Sequence, residues 1–475
     1  MSLLFILLHV YFVSFTDKPE KSAPALSPRA VEQRAKWNIP TDEKDYPVAK
    51  IYVDSLRRAG AKIYHTSRWF NGATCEMTPA MAAKAAGCSF VQDVELTRDD
   101  SPNIYAPKRK RVASSGHIGD EEPHFAWTDE QLATYNLLPL HKAGFEGQGI
   151  LMAVCDGAFY NANTLSCFRA DKLELGHFDF TDDPTSFYGS IYGAHGTECL
   201  STISGITDDF YGAATKAQYY LMRSEEEDHE SPKEMDNLTV ALETADSLGV
   251  NIFSVSLGYA YFDNDDWTLS KSALDGKTTR SSRAATIAAR KGMLVCVAAG
   301  NEGNKPWHTI SSPADADSVL TVGAVATDSI IGNFSSYGPS ADGRIKPEVC
   351  AVGVQTTLIQ PSNNTTITAN GTSFATPLIA GFAASLWSAL PDENAMQIRE
   401  RIIKSAHLYP SYDADHRLGY GIPDAWKAYT LKRPTGMDNG QWTMDNGQCQ
   451  KVLHNGQLLI IHGDKVYNAQ GQPMP

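Results

Sequence analysis

The sequence predicts an α/β protein. A parallel sheet with helices on both faces occupies residues 125–430. A small α+β domain precedes it over residues 11–97, and a β-hairpin module follows over residues 431–475. Three observations predict this. Between residues 149 and 325, short β-rich runs are apolar throughout instead of alternating, as strands buried on both faces are. Helix-length segments separate those runs, and strand–helix–strand alternation implies parallel crossovers. Before residue 98, two helices sit among strands in the arrangement of a small α+β unit.

The chain opens on the apolar stretch Ser2–Val10, then Tyr11–Phe15. This is too short to span a bilayer as a helix. Residues 1–10 are expected to be a signal-peptide remnant, although no Lys or Arg precedes the apolar residues. Tyr11–Thr16 is expected to be a strand, and a buried strand is also the alternative for the whole stretch. Val48–Gly60 reads as a helix, then Ala61–Arg68 and Trp69–Met77 as strands. Thr78 caps a second helix with Pro79 at its first position, and Gly87 stops it. Ser89–Leu96 is the last strand. Residues 98–124 carry Pro102, Pro107, the run Lys108-Arg-Lys-Arg111 and Ser114-Ser-Gly116, without apolar periodicity. They read as a linker, and the basic run is either solvated or a processing site.

In the central region the strand candidates are Gly149–Cys155, Ala217–Met222, Val250–Ser256, Leu294–Ala299 and Val319–Val325. The helix candidates are Gly196–Gly205, Asn237–Leu248, Arg280–Lys291 and Ser373–Leu390. In the tail, Met437–Gln441 recurs as Met444–Gln448, too little for a repeat fold. Asn455-Gly456 and Gly463-Asp464 are hairpin turn signals around Leu458–Ile461.

With 42% hydrophobic and 20% charged residues, the chain can build a sizeable core. Its formal charge of 41 − 55 = −14 argues against nonspecific nucleic-acid binding. No later segment is long and apolar enough to be transmembrane, so no stable membrane span is expected. The eight cysteines show no zinc spacing. Cys155, Cys296 and Cys350 lie in apolar runs as small buried residues. Cys75 and Cys88 flank one helix-like segment and would pair only in an oxidised protein.

Acyl transfer needs a nucleophile, a base, an orienter for the base and donors for the oxyanion. Asp156 directly follows the strand Ile150–Cys155, where a carboxylate can hold an imidazole N–H; alone it would pass for a helix cap. His195 opens His195-Gly-Thr-Glu-Cys199 at a helix start; alone it would pass for a surface histidine. Ser373 lies in Asn370-Gly-Thr-Ser-Phe-Ala-Thr-Pro377 and begins a helix, so its hydroxyl sits at the positive dipole end and its N–H is free. Gly371 permits close backbone approach.

Val154-Cys-Asp-Gly157, His195-Gly-Thr197, Ala298-Ala-Gly-Asn-Glu-Gly303 and Gly371-Thr-Ser-Phe-Ala-Thr-Pro377 resemble the signature blocks of the subtilase family, in that family's order. Ser254-Val-Ser-Leu-Gly258 and Phe334-Ser-Ser-Tyr-Gly-Pro339 extend the resemblance to about residues 125–430. It implies a subtilisin-like fold and a serine endopeptidase in which Asp156, His195 and Ser373 form the triad and Asn301 is an oxyanion donor. It further implies that Ser256-Leu257-Gly258 pairs with substrate backbone, and that Gly258, Ser311 and Glu302 line the pocket for the side chain preceding the scissile bond. Two small residues suggest a roomy pocket, and Glu302 a tolerance for basic side chains. Residues 11–97 resemble the subtilase propeptide, through Asn71–Pro79 and Val91–Glu95. The tail faintly resembles C-terminal sorting modules of Gram-negative secreted proteins.

Two features depart from the family pattern. Glu198 stands where the family has a second histidine. Ile203–Gly212 is too short for the usual strong calcium loop, so neither metal nor other cofactor is expected. The implied partners are protein or peptide substrates and the chain's own propeptide in cis; the implied location is secreted, cell-surface or periplasmic. A non-catalytic binding protein on the same scaffold is the main rival, yet none of the four roles is missing. An esterase is less favoured, because no Gly-x-Ser-x-Gly elbow surrounds Ser373.

Overall fold

A computed structural model describes residues 7–19, 22–100, 127–168, 174–182, 184–227, 229–431, 450–454, 457–462 and 465–468. The first unit comprises β1 (His9–Phe15), α1 (Pro28–Lys36), α2 (Lys50–Arg58), β2 (Lys62–Ser67), β3 (Gly72–Met77), α3 (Pro79–Ala86) and β4 (Val91–Asp99). Its antiparallel sheet has the order β2-β3-β1-β4. Thr78 caps α3 as expected, its hydroxyl accepting from Met81 N at 3.2 Å.

Several boundaries differ from expectation; β3, for one, starts at Gly72 and not at Trp69. β1 starts at His9, because His9 and Val10 already pair with Met77 and Glu76 on one side and with Asp99 and Arg98 on the other. Val10 is fully buried, so residues 9 and 10 are part of the sheet. β4 runs on to Asp99, past the expected Leu96, and a linker from 98 therefore starts too early. Helix α1 went unanticipated although Ser27-Pro28 is the same start signal as Thr78-Pro79; the Ser27 hydroxyl accepts from Ala30 N. The basic run 108–111 lies outside the described residues.

The second unit opens with α4 (Trp127–Ala133) and α5 (Leu138–Lys142). There follow β5 (Leu151–Asp156), β6 (Glu174–Asp179), α6 (Ala194–Ser204), β7 (Gln218–Arg223), α7 (Lys233–Leu248), β8 (Ile252–Val255), α8 (Arg280–Arg290), β9 (Leu294–Ala298), β10 (Leu320–Val325) and β11 (Val349–Val352). A hairpin of β12 (Thr356–Ile359) and β13 (Thr366–Ala369), then α9 (Thr372–Ala389), α10 (Ala395–Ser405) and α11 (Ala425–Thr430), complete it. The main sheet has seven strands in the order β11-β10-β9-β8-β5-β7-β6, all parallel.

Both faces are covered, as apolar strands require. Met152 and Val154 of β5 pack with Leu200, Ile203, Leu378 and Phe382 of α6 and α9. Leu151, Ala153 and Cys155 point the other way, to Leu238 and Leu242 of α7 and Ala284 and Ala288 of α8. The first unit sits on that α7–α8 face and buries Trp69 in its core. Parallel strands send all their carboxyl ends to one pole, where an α/β sheet carries its functional loops.

The tail forms β14 (Gln450–His454), β15 (Gln457–His462) and β16 (Lys465–Asn468), a three-stranded antiparallel sheet that adds a strand to the expected hairpin. Its two turn signals lie outside the described residues. Among the described residues Cys75 and Cys88 are both free, and no helix is long and apolar enough to cross a membrane.

Candidate active site

Four segments converge at the carboxyl pole. Asp156 is the last residue of β5, and its backbone carbonyl accepts from Ser224 N beyond the neighbouring β7. Its Oδ1 also accepts from Gly157 N at 2.8 Å, which fixes the carboxylate. His195, in the first turn of α6, donates from Nδ1 to Asp156 at 2.8 Å to Oδ1 and 3.0 Å to Oδ2. That bond sets the tautomer and leaves Nε2 as the acceptor. Gly196 lets α6 come this close: a Cβ there would strike the carbonyl of Ala158 and lie 2.9 Å from Asp156 Cβ.

Ser373 is the second residue of α9, and its N–H is among the first-turn donors that a helix leaves unsatisfied. Its hydroxyl donates to the Ser256 carbonyl at 3.3 Å, while Ser256 Oγ donates to the Ser373 carbonyl at 2.7 Å. The Ser373 segment is thus tied to the end of β8. The His195 ring lies against Phe374, centroids 5.4 Å apart.

Asn301 follows β9 by two residues past Ala299. Its Oδ1 accepts from Thr372 N at 2.9 Å and Thr372 Oγ1 at 3.1 Å, and Thr372 Oγ1 accepts from Gly300 N at 3.1 Å. A backbone N–H can only donate, so the amide oxygen must face it. The Nδ2 donors of Asn301 therefore point away from the helix.

Sequence reasoning gave Cys199 no place in the site. It lies one helical turn past His195, with Sγ 3.9 Å from both ring nitrogens, and donates to the Ser373 carbonyl at 3.3 Å. Asp156, His195 and Cys199 bring polar atoms within 4.8 Å of one another. The i, i+4 spacing from His195 was the available signal. Burial pushes the thiol pKa up, which disfavours thiolate. Burial also opposes charge on His195, but the Asp156 carboxylate outweighs it and holds the imidazole pKa well above its usual value.

Ser256 is buried, Leu257 half-buried and Gly258 exposed, so the segment after β8 turns outward to the surface. Tyr259 bridges Ser312 through hydrogen bonds of 2.7 and 3.0 Å. A Cβ at Gly258 would run into Ser311 Oγ, so these two small residues approach each other closely. The Glu302 carboxylate pairs with Lys305 at 2.7 Å and is already partly neutralised, which weakens the expected attraction for a basic side chain. Glu198 is buried on α6, and Ser201 Oγ donates to its carbonyl.

Residues 147–421 match the model of the subtilase family, and residues 10–114 match that of the peptidase S8 propeptide domain of Bacteroidota. Subtilisin DY of Bacillus licheniformis is 28% identical over 278 residues, spanning 57% of this chain and 90% of that protein. Serine protease AprX of Bacillus subtilis is 28% identical over 289 residues, covering 54% and 60%. MycP1 from Mycobacterium smegmatis shares the fold, with a TM-score of 0.53 at 21% identity over 69% of this chain and 91% of its own. The family model covers more than half of the residues, and the chain belongs to the subtilase family, with a propeptide domain of the Bacteroidota type ahead of it.

Proposed function

We propose that the chain is a secreted serine endopeptidase, made as a self-processing zymogen, in which Ser373 is the nucleophile, His195 the base, Asp156 its orienter and Asn301 an oxyanion donor. One observation carries the reading: the Asp156–His195 couple lies beside the first turn of α9, which bears Ser373 and holds the Asn301 amide by its oxygen.

The steps follow from the donors and acceptors. Ser373 Oγ turns from the Ser256 carbonyl to His195 Nε2 and gives up its proton as it attacks the substrate carbonyl. Asp156 stabilises the imidazolium that forms. The oxyanion takes hydrogen bonds from Ser373 N–H and Asn301 Nδ2, and a donor of that kind is worth about 10²–10³ in kcat. The imidazolium then protonates the leaving amine, and water repeats the sequence on the acyl ester. Cys199 is a poorer nucleophile here, because burial keeps its thiol protonated. Substrate backbone adds alongside Ser256-Leu257-Gly258, with Ser311 and Glu302 at the pocket for the side chain preceding the scissile bond. Export is inferred from the apolar start of the chain and from the family's habit. Residues 450–468 are read as an accessory module.

A fluorophosphonate probe with a casein digest tests the assignment. Labelling at Ser373 with proteolysis is expected. Labelling without proteolysis would point to an esterase, and neither result to a binding protein.

A further inference from the structure

β5 stops at Asp156, and the chain beyond it turns away: Phe159 N donates to the Phe187 carbonyl and Tyr160 N to the Gly193 carbonyl, both at 3.0 Å. Its two neighbours run on, β7 into Ser224–Glu227 and β8 into Ser256–Gly258. β7 and β8 each pair with β5, so they stand two strand spacings apart, roughly 10 Å. The place left beyond Asp156 is therefore as wide as one strand. An extended peptide lying there needs both banks at that spacing to complete its main-chain hydrogen bonds.

Both banks are held from beneath. Ser224 N donates to the Asp156 carbonyl at 3.2 Å, the Ser224 carbonyl accepts from Asn237 Nδ2 at 3.0 Å, and Glu226 N donates to Glu234 Oε1 at 2.8 Å. On the β8 side, Ser256 is bonded to the Ser373 carbonyl and Tyr259 to Ser312. One side chain crosses from bank to bank. Tyr259 is 2% exposed and lies in the core on the α7 side with Cys155 and Val255. Its hydroxyl donates to Glu225 Oε1 at 2.7 Å and lies 3.3 Å from the Glu234 carbonyl. The bond thus passes the end of β5, from the residue after Gly258 to the residue after Ser224. Burial and the carboxylates of Glu225 and Glu234 push the phenol pKa well up, so the hydroxyl stays a donor. A phenylalanine would fill the same core volume without reaching Glu225, so the ring serves packing and the hydroxyl serves the link.

We propose that Tyr259 is a positioning residue whose bond to Glu225 is a strut: it sets the separation of the two banks, and with it the preference for extended substrates over short ones. This deepens the endopeptidase reading and rests on it.

The test is a ratio of kcat/KM for two substrates that share a leaving group and the residue before the scissile bond. One is an alanine-rich tetrapeptide anilide, the other the acetylated single residue. Tyr259→Phe should lower the tetrapeptide-to-single-residue ratio about tenfold, the scale of a hydrogen bond to a charged acceptor, with most of the change in KM for the tetrapeptide. Damage to the triad would lower both substrates alike and leave the ratio where it was. Glu225→Ala should lower the ratio as Tyr259→Phe does, and the double variant should lower it no further, since both changes cut one bond. Glu225→Gln keeps an oxygen acceptor and should lower it by less than about threefold. Should Tyr259→Phe fail to fold, Glu225→Ala against Glu225→Gln reads the same bond. A ratio that holds at the wild-type value when the bond is cut, or losses that multiply in the double variant, would overturn the strut. The peptidase reading fails separately, if wild-type Ser373 takes no fluorophosphonate.

Discussion

Thr372 does for Asn301 what Asp156 does for His195: each holds one end of a two-ended polar side chain and leaves the other end free of that contact. Ser373→Ala should retain the fold and lose peptidase activity by orders of magnitude, whereas Cys199→Ala should keep well above roughly a tenth of it. Casein hydrolysis on both variants checks this, and the reverse ranking would move the nucleophile to the thiol. The raised pKa of His195 has a sign that can be tested. The base must be neutral, so kcat/KM should fall as pH drops through that elevated value. Asp156→Asn removes the charge that elevates it. The acid limb should then move to lower pH while kcat falls by about 10⁴; a limb that stays in place would deny Asp156 this part. The polar residues proposed for the site could be picked out in the sequence because the chemistry dictates their types, while strand ends (Asp156) and helix starts (His195, Ser373) dictate their places. Cys199 could not, since a thiol packed beneath the imidazole looks in sequence like any other small apolar residue of α6.

At the scale of elements, the segment after β8 and the turn carrying Ser311 are joined by the Tyr259–Ser312 bridge, so the width of the proposed pocket would follow their spacing. Gly258→Ala should lower kcat/KM for large side chains preceding the scissile bond far more than for alanine, because the new Cβ meets Ser311 Oγ. A library varied at that position reads the ratio, and equal losses would place Gly258 elsewhere. Glu302 needs its neighbour taken into account. Two unit charges 4 Å apart gain only about 1 kcal/mol in water, and Lys305 already claims the carboxylate. Glu302→Gln should change the Lys-to-Phe ratio little at low salt, while Lys305→Ala should raise it. A large fall in that ratio for Glu302→Gln would show the ion pair opens for substrate. The helices and central strands were readable from apolar runs. β6 was not, for it is an edge strand whose residues alternate between half-buried and exposed and include Gly176 and His177. Helix α1 is short and without an apolar run, and its anchor Arg34 finds Asp246 only after 212 residues of sequence.

At the scale of the whole molecule, two units meet along α7 and α8 through charge as much as through apolar surface. Glu243 of α7 accepts from Ser67 Oγ, Arg68 N and Trp69 N, and Arg280 of α8 pairs with Asp236 and, across the interface, with Glu95. Wild-type protein should lose its N-terminal unit by a cut after Asp100 and before about His124, while Ser373→Ala should stay full length. Electrophoresis with N-terminal sequencing of the products checks both, and two full-length proteins after prolonged incubation would exclude self-processing. The two-unit plan was visible in the sequence from the change of pattern near residue 98. The interface was not, because its pairs join segments that no periodicity connects.

The place of β1 between β3 and β4 has a consequence for the order in which the protein is made. β1 needs partners at residues 72–77 and 91–99, so the N-terminal sheet closes only once the chain through residue 99 is available. All of its strands precede β5 at residue 151, so it can close as a unit without the parallel sheet. α7 and α8 lie more than a hundred residues further along the chain, and the surface with Trp69 and Arg68 needs no strand of theirs to form. The parallel sheet, whose strands must find neighbours far apart in the chain, can thus assemble against a surface its own polypeptide supplies.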